Sequence, residues 1–217
     1  MSNGTFDLNE FIKESTDVLK NPKSYFSTLK TTGGMSEPLI KAVIYGAIAG
    51  VFAFLWSLLK IGAVTGGLLG GAAGIMVFVG YIFTSVIGLF IGAVFVLIIS
   101  SICKGNTDFE ANVRVTATLM VVLPISAALG FAAGLNIYLG VAVGLLVNVF
   151  SLWLLYNALV ETLKAKPETS KIVLYILIAI IVLFSLIGLG AKRKANQFMN
   201  EFNKSDMKEL LKDMENK

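Results

Sequence analysis

The chain has 217 residues, of which 56% are hydrophobic and 15% charged, and a formal net charge of +4. Soluble domains carry about 25% charged residues, so this chain lacks the polar surface to cover itself in water and reads as an integral membrane protein. It has one cysteine and no histidine, which rules out an intrachain disulfide and removes the commonest general base, pH switch and metal ligand.

The pI near 9.1 does not point to nucleic acid. The basic residues alternate with acids and sit at the edges of apolar runs, a pattern suited to topology control and anionic lipid. Residues 1–37 contain no early apolar run, so no secretory signal is expected and the first span serves as the insertion signal.

Residues 5–20 predict an amphipathic helix. Asp7 and Glu10 have capping-box spacing. Leu8, Phe11, Ile12, Val18 and Leu19 fall near one face. Asn21-Pro22 ends this helix, because the residue before proline is pushed out of the α region. Lys23, Tyr25 and Phe26 then suit the headgroup zone, and Lys23 and Tyr25 are candidate headgroup contacts. The segment either lies on the membrane surface or packs on its own protein.

Thr31 to Gly34 reads as a flexible joint. Ser36 is expected to cap the next helix, with Pro38 in its first turn. Ala42–Leu59 carries no charge. At about 1.5 Å per residue it measures about 27 Å, close to the ~30 Å hydrocarbon core. It forms span one, closed by Trp56 and Lys60.

Ile61–Cys103 is also uncharged. A single helix of that length, about 65 Å, overshoots the bilayer. The preferred reading is a glycine-rich connection over 61–73 and one long, tilted span over 74–102. The alternative is two spans with a turn near Gly80.

Lys104-Gly105-Asn106 is a loop, and Thr107-Asp108-Phe109-Glu110 a capping box. The helix it opens runs to about Ala133, with Arg114 near its start and a kink expected at Pro124. A short turn at Gly134–Asn136 leads to span four, about Ile137–Val160. A polar loop with Pro167 leads to span five, about Ile172–Gly190. The tail, 191–217, carries Lys192-Arg193-Lys194 and a short helix capped by Ser205.

The fold expected is an all-α, polytopic transmembrane helix bundle of five spans, with six as the alternative. Three parts follow: an interfacial segment over 1–37, a transmembrane domain over 38–190 and a charged tail over 191–217. Five spans put the cations of the amino-terminal segment and of the 104–114 and 164–171 regions on one side, facing only Lys60 from the opposite loops. The positive-inside rule then makes the amino terminus cytoplasmic. The basic tail on the far side fits less well, but six spans would put Lys104, Arg114, Lys164, Lys166 and Lys171 outside, the poorer arrangement.

The glycines give the strongest local signal. Gly62, Gly66, Gly70 and Gly74 recur every four residues, as do Gly46/Gly50, Gly88/Gly92 and Gly140/Gly144, which favours close helix packing or a homo-oligomer. Asn148 and Ser151, with Asn157 further on, form a candidate polar face that either bonds between helices or lines a path for a small solute. Arg114 is a candidate headgroup contact, a partner for Asp108 or Glu110, or an interfacial arginine reaching to water. The central parts of the spans lack Asp, Glu and Lys, which counts against proton relays and voltage sensing. No catalytic or metal cluster and no cofactor motif is found.

The layout resembles the Yip (Ypt-interacting protein) family, and its prokaryotic branch in particular, over about residues 18–190. The resemblance rests on Asn21-Pro22-Lys23-Ser24-Tyr25-Phe26, on Glu37-Pro38-Leu39 opening span one, and on the 104–110 loop before a helix that bears Arg114. It implies five spans and a cytosolic amino terminus. Eukaryotic members act in vesicle traffic, bind lipidated Rab-type GTPases and partner other family members. The Asp-Leu-Tyr-Gly-Pro motif of many of them is absent here and the amino-terminal region is short, which counts against GTPase binding. The function expected is a non-enzymatic, multi-pass protein of the cell membrane that organises membrane or partner proteins. The alternatives are a channel or transporter for a neutral or lipid-like solute and, last, a membrane-embedded enzyme.

Overall fold

The computed structural model describes residues 7–59, 61 and 70–190, and of 70–74 the backbone alone. Two short helices come first, α1 (Leu8–Lys20) and α2 (Pro22–Thr28). Asp7 caps α1 by accepting from the Asn9 and Glu10 amides at 2.8 and 3.3 Å. Proline at the first position of α2 starts a new helix where it could not continue the old one.

Five helices are long and apolar enough to cross a membrane: Ser36–Leu58, Ile75–Ile102, Phe109–Leu135, Ile137–Thr162 and Pro167–Gly190. Span one is α3 (Ser36–Leu58). Its expected cap is displaced: Ser36 is already helical, and Met35 precedes it without a side-chain cap bond. Span two belongs to α4 (Gly70–Ile102), unbroken at Gly80. One long span therefore stands where two were the alternative, and its helix begins within the expected 61–73 connection. Residues 62–69 and the tail helix at Ser205 lie outside the described residues.

Span three is articulated into α5 (Phe109–Leu119), α6 (Val122–Ala128) and α7 (Phe131–Leu135). Pro124 explains the first break. It has no N–H for the Met120 carbonyl, which takes the Leu123 amide instead at 2.9 Å. The cap of α5 is Asp108 rather than Thr107, accepting from Ala111 N–H at 2.8 Å. Asn136 caps α8 (Ile137–Asn157) by accepting from Tyr138 N–H at 2.8 Å. A π turn, Ala158–Thr162, extends α8, and α9 (Pro167–Gly190) is span five.

α3 lies at the centre, against α4, α5 and α6. Close approach is set at Gly46 and Gly50. A Cβ on Gly46 would meet the Ser85 side chain and the Tyr81 carbonyl, and one on Gly50 would lie 3.0 Å from the Phe78 carbonyl oxygen. Gly92 and Gly140 act likewise, against Thr116 Cγ2 at 2.9 Å and Ala133 Cβ at 2.6 Å. Gly88 and Gly144 face open space, so of the glycines expected to pack, these two do not pack within the chain. Gly62 and Gly66 lie outside the described residues, and the surroundings of Gly70 and Gly74 are not described. On the far side, Trp56 Nε1 donates to the Ala127 carbonyl at 2.9 Å and its ring lies 5.4 Å from Phe131, joining spans one and three.

The amino-terminal segment and the turns after α4 and after the π turn share one end of the bundle. α2 packs on the π turn, where Thr162 Oγ1 donates to the Phe26 carbonyl at 2.6 Å. The two turns exchange backbone bonds in corresponding positions: Asn106 N–H to Leu163 O at 2.7 Å and Lys166 N–H to Cys103 O at 2.9 Å. Each turn passes through a left-handed lysine, Lys104 with φ 58° and Lys164 with φ 54°. Cys103, the last residue of the uncharged stretch, is fully buried beneath this exchange.

Candidate functional site

Five charged side chains form a continuous chain beneath the amino-terminal helices. Glu14 of α1 bonds Lys41 of α3 at 2.8 Å. Lys41 also bonds Glu37, one turn earlier on α3, at 2.8 Å. Glu37 reaches across to Arg114 of α5 at 2.9 Å, and Arg114 Nε holds Glu110 at 3.2 Å. The two cations are buried, with side chains 7% and 4% exposed, while Glu37 keeps 47% exposure. Three carboxylates around two cations leave the cluster one charge negative. A buried ion pair adds little net stability by itself but penalises any arrangement that separates its members. The chain therefore fixes how α1, α3 and α5 sit together.

The connection from α2 to α3 closes the cluster. Arg114 Nη2 donates to the Gly34 carbonyl at 3.0 Å, and Gly34 N–H donates to Glu110 at 2.6 Å. Gly33 and Gly34 have φ of 132° and 89°, values that side-chain-bearing residues rarely adopt. A Cβ on Gly33 would meet Arg114 Nη2 at 2.7 Å. The stretch read as a flexible joint is thus a fitted cover on Arg114.

Above the charges, Phe11 and Tyr45 pack with ring centroids 5.0 Å apart, and Ser15 hydrogen-bonds the Tyr45 hydroxyl at 2.8 Å. A cleft of about 590 Å³ opens over the cluster, lined by Glu10, Glu14, Tyr25, Glu37, Lys41 and Arg114 among others. Burial pushes the Tyr25 phenol up to about 12, with Lys41 opposing and Glu14 reinforcing the shift. Tyr25 therefore stays a neutral phenol at physiological pH.

Of the three expected headgroup contacts, Arg114 turns inward: Glu37, Glu110 and Gly34 take its donors in place of lipid, water or Asp108, which is spent as a helix cap. Tyr25 is half-buried. Lys23 remains outside, 78% exposed and 3.9 Å from Glu161. The expected polar face does not form a lined path. Asn148 is exposed on the outside of α8. Ser151 returns its hydroxyl to the Val147 carbonyl and Asn157 its amide to the Trp153 carbonyl, each at 2.8 Å. Sequence reasoning missed Glu14, Glu37, Lys41 and the Gly33–Gly34 cover. The available signal was Glu37 and Lys41 at i, i+4 beside a proline, a pairing that neutralises charge at a span's start. Among the described residues, no group of Cys, Asp or Glu is placed to hold a metal ion.

A family model, the Yip1 domain, matches the chain over residues 16–189. The chain belongs to the Yip1 domain family. The match runs from within α1 to the end of span five, so the charge chain, save Glu14, lies inside the Yip1 domain. No curated protein and no solved structure matches the chain. It is a Yip-type integral membrane protein.

Proposed function

We propose that this Yip1-domain chain is a non-enzymatic organiser of membrane and partner proteins, which displays α1 and α2 as a fixed platform on the cytoplasmic face of the cell membrane. The charge chain carries this reading. Each of its carboxylates faces a cation, so its members are engaged in holding elements together rather than poised for chemistry. Fixed in this way, α1 leaves Leu8 and Ile12 exposed, at 57% and 54%, on a helix surface whose other exposed residues are polar or charged. Such an apolar pair suits the boundary between headgroups and acyl chains. Exposed Lys23, Lys104, Lys164 and Lys166 on the same end favour the cytoplasm for that side. The outward Asn148 weighs against a solute path through the bundle.

The test uses the full-length chain in vesicles. A spin label at Ile12→Cys, in a Cys103→Ala background, is expected to be more accessible to oxygen than to a water-soluble nickel chelate. The vesicles are expected to admit glycerol and urea no faster than protein-free ones. Nickel-dominated accessibility would remove the interfacial platform. Solute flux lost on Ser151→Ala would establish a channel instead.

A further inference from the structure

The cleft over the charge chain has the capacity of a ligand pocket, about 590 Å³ against roughly 300–1,000 Å³ for small-molecule sites. Its wall holds two sorts of charged group. Lys41 and Arg114 are buried and taken up by Glu14, Glu37 and Glu110. Glu10 and Lys30 also line the cleft, but both are exposed. Neither side chain has an ion pair or hydrogen bond among the described residues. Glu37 bridges the two cations and still keeps nearly half of its side chain open. One volume thus offers accessible carboxylates and an accessible ammonium.

The same cleft runs out onto the bilayer face of span one. Ile40 lines it and is exposed. At about 100° per residue, Val51 and Leu58 fall within about 20° of Ile40, with Val43 and Leu55 about 60° to either side. All four are exposed, while Ala42, Tyr45 and Ala49 hold the opposite, buried side of α3. From Ile40 to Val51 the helix rises about 17 Å, roughly half of the ~30 Å hydrocarbon core and so the depth of one leaflet. A molecule that fills the cleft meets charge at one end and a leaflet-deep apolar stripe at the other.

We propose that the cleft holds the headgroup of an amine-bearing phospholipid, phosphatidylethanolamine, with an acyl chain along Ile40–Val51. The ammonium brings three donors to Glu10 and the open side of Glu37, and the phosphate meets Lys30. The balance of charge selects among headgroups. Asp7, Glu10, Glu14 and Glu37 outnumber Lys30, Lys41 and Arg114 on the wall, so a headgroup charged only at its phosphate is repelled. Choline has no N–H, and would cover the carboxylates without bonding them, a costly state. A soluble amine leaves the apolar stripe unused. Span one sets Glu37 at the bilayer surface whatever α1 touches, so this inference stands apart from the platform reading, which accessibility at Ile12 tests.

The full-length chain in a neutral detergent is mixed with equal amounts of phosphatidylethanolamine, phosphatidylcholine and phosphatidylglycerol carrying the same acyl chains. Retained lipid is read by native mass spectrometry. The native chain is expected to hold phosphatidylethanolamine about tenfold more tightly than phosphatidylcholine. Glu10→Gln is expected to remove most of that preference and keep the native unfolding midpoint, because Glu10 is outside the charge chain. Lys30→Ala is expected to weaken both lipids alike, since both carry the phosphate. Soluble glycerophosphoethanolamine and a lysine-containing peptide are expected not to displace the lipid. Equal retention of phosphatidylethanolamine and phosphatidylcholine by the native chain, a preference for phosphatidylglycerol, or an unchanged preference in Glu10→Gln overturns the proposal. Displacement by either soluble amine assigns the cleft to an aqueous cation and overturns it as well. The lipid comparison needs no variant, so it decides the matter even where a substitution lowers the midpoint.

Discussion

Spans one to three and spans four and five are all apolar enough to cross a bilayer, yet the chain packs them differently. Half of the third span's most apolar window is buried and none of the fifth's, although the fifth has the higher mean hydropathy, 3.1 against 2.0. In water the ranking would be reversed. In lipid, apolarity gives helices no reason to associate, and burial follows small residues and polar contacts. The first three spans have both: Gly46, Gly50 and Gly92 at the crossings, and Glu37, Lys41 and Arg114 at one end. Span five meets the protein through Val173, Leu174, Leu177, Ile178 and Ile181, an apolar stripe without a polar anchor of that kind.

The difference can be broken first at Arg114. Arg114→Leu leaves Glu110 without its cation and Glu37 with Lys41 alone. A loss near the low end of about 3–5 kcal/mol is expected, since Glu37 and Glu110 retain 47% and 28% exposure. The readout is thermal unfolding in detergent, and an unchanged midpoint would mean that the charge chain does not hold the bundle. Next comes Gly46→Ala, which forces α3 away from Ser85 and Tyr81. The overpacking is expected to cost about 1–3 kcal/mol, seen in the same unfolding experiment. Thr162→Val keeps the shape but leaves the Phe26 carbonyl without its donor, with an expected loss of about 1 kcal/mol. It should also raise hydrogen exchange in α2 while sparing α3. The smallest effect belongs to Gly88→Ala and Leu186→Ala, on surfaces open to lipid. Both are expected within about 0.5 kcal/mol of the native chain. A loss as large as that of Gly46→Ala would erase the distinction between the two regions.

The spans were legible because a bilayer demands long uncharged helices and tolerates few alternatives. The cap at Asp108 and the break at Pro124 were legible to within a residue or so, because each acts on its own neighbours. The charge chain was not. Arg114 meets Glu37 from a distant stretch of chain, and no local spacing encodes that meeting. The direction of Asn148 was equally hidden, because a helix apolar on every side has no periodicity to mark its inner face. Glycine spacing showed where helices could touch but not which would. The pair that sets the closest crossing, Gly46 and Gly50, reads no differently from Gly140 and Gly144, of which one packs and the other lies bare.

The reciprocal backbone bonds between the turns at Cys103–Asn106 and Leu163–Lys166 act as a hasp. Each helical hairpin supplies one donor and one acceptor, so neither can tilt without parting both bonds at once. The loosely packed pair of spans is thereby pinned to the tightly packed trio at that end. Span four is held at its opposite end as well, where Gly140 lies against Ala133 of span three, so the hasp matters most for span five, whose most apolar stretch buries nothing within the chain.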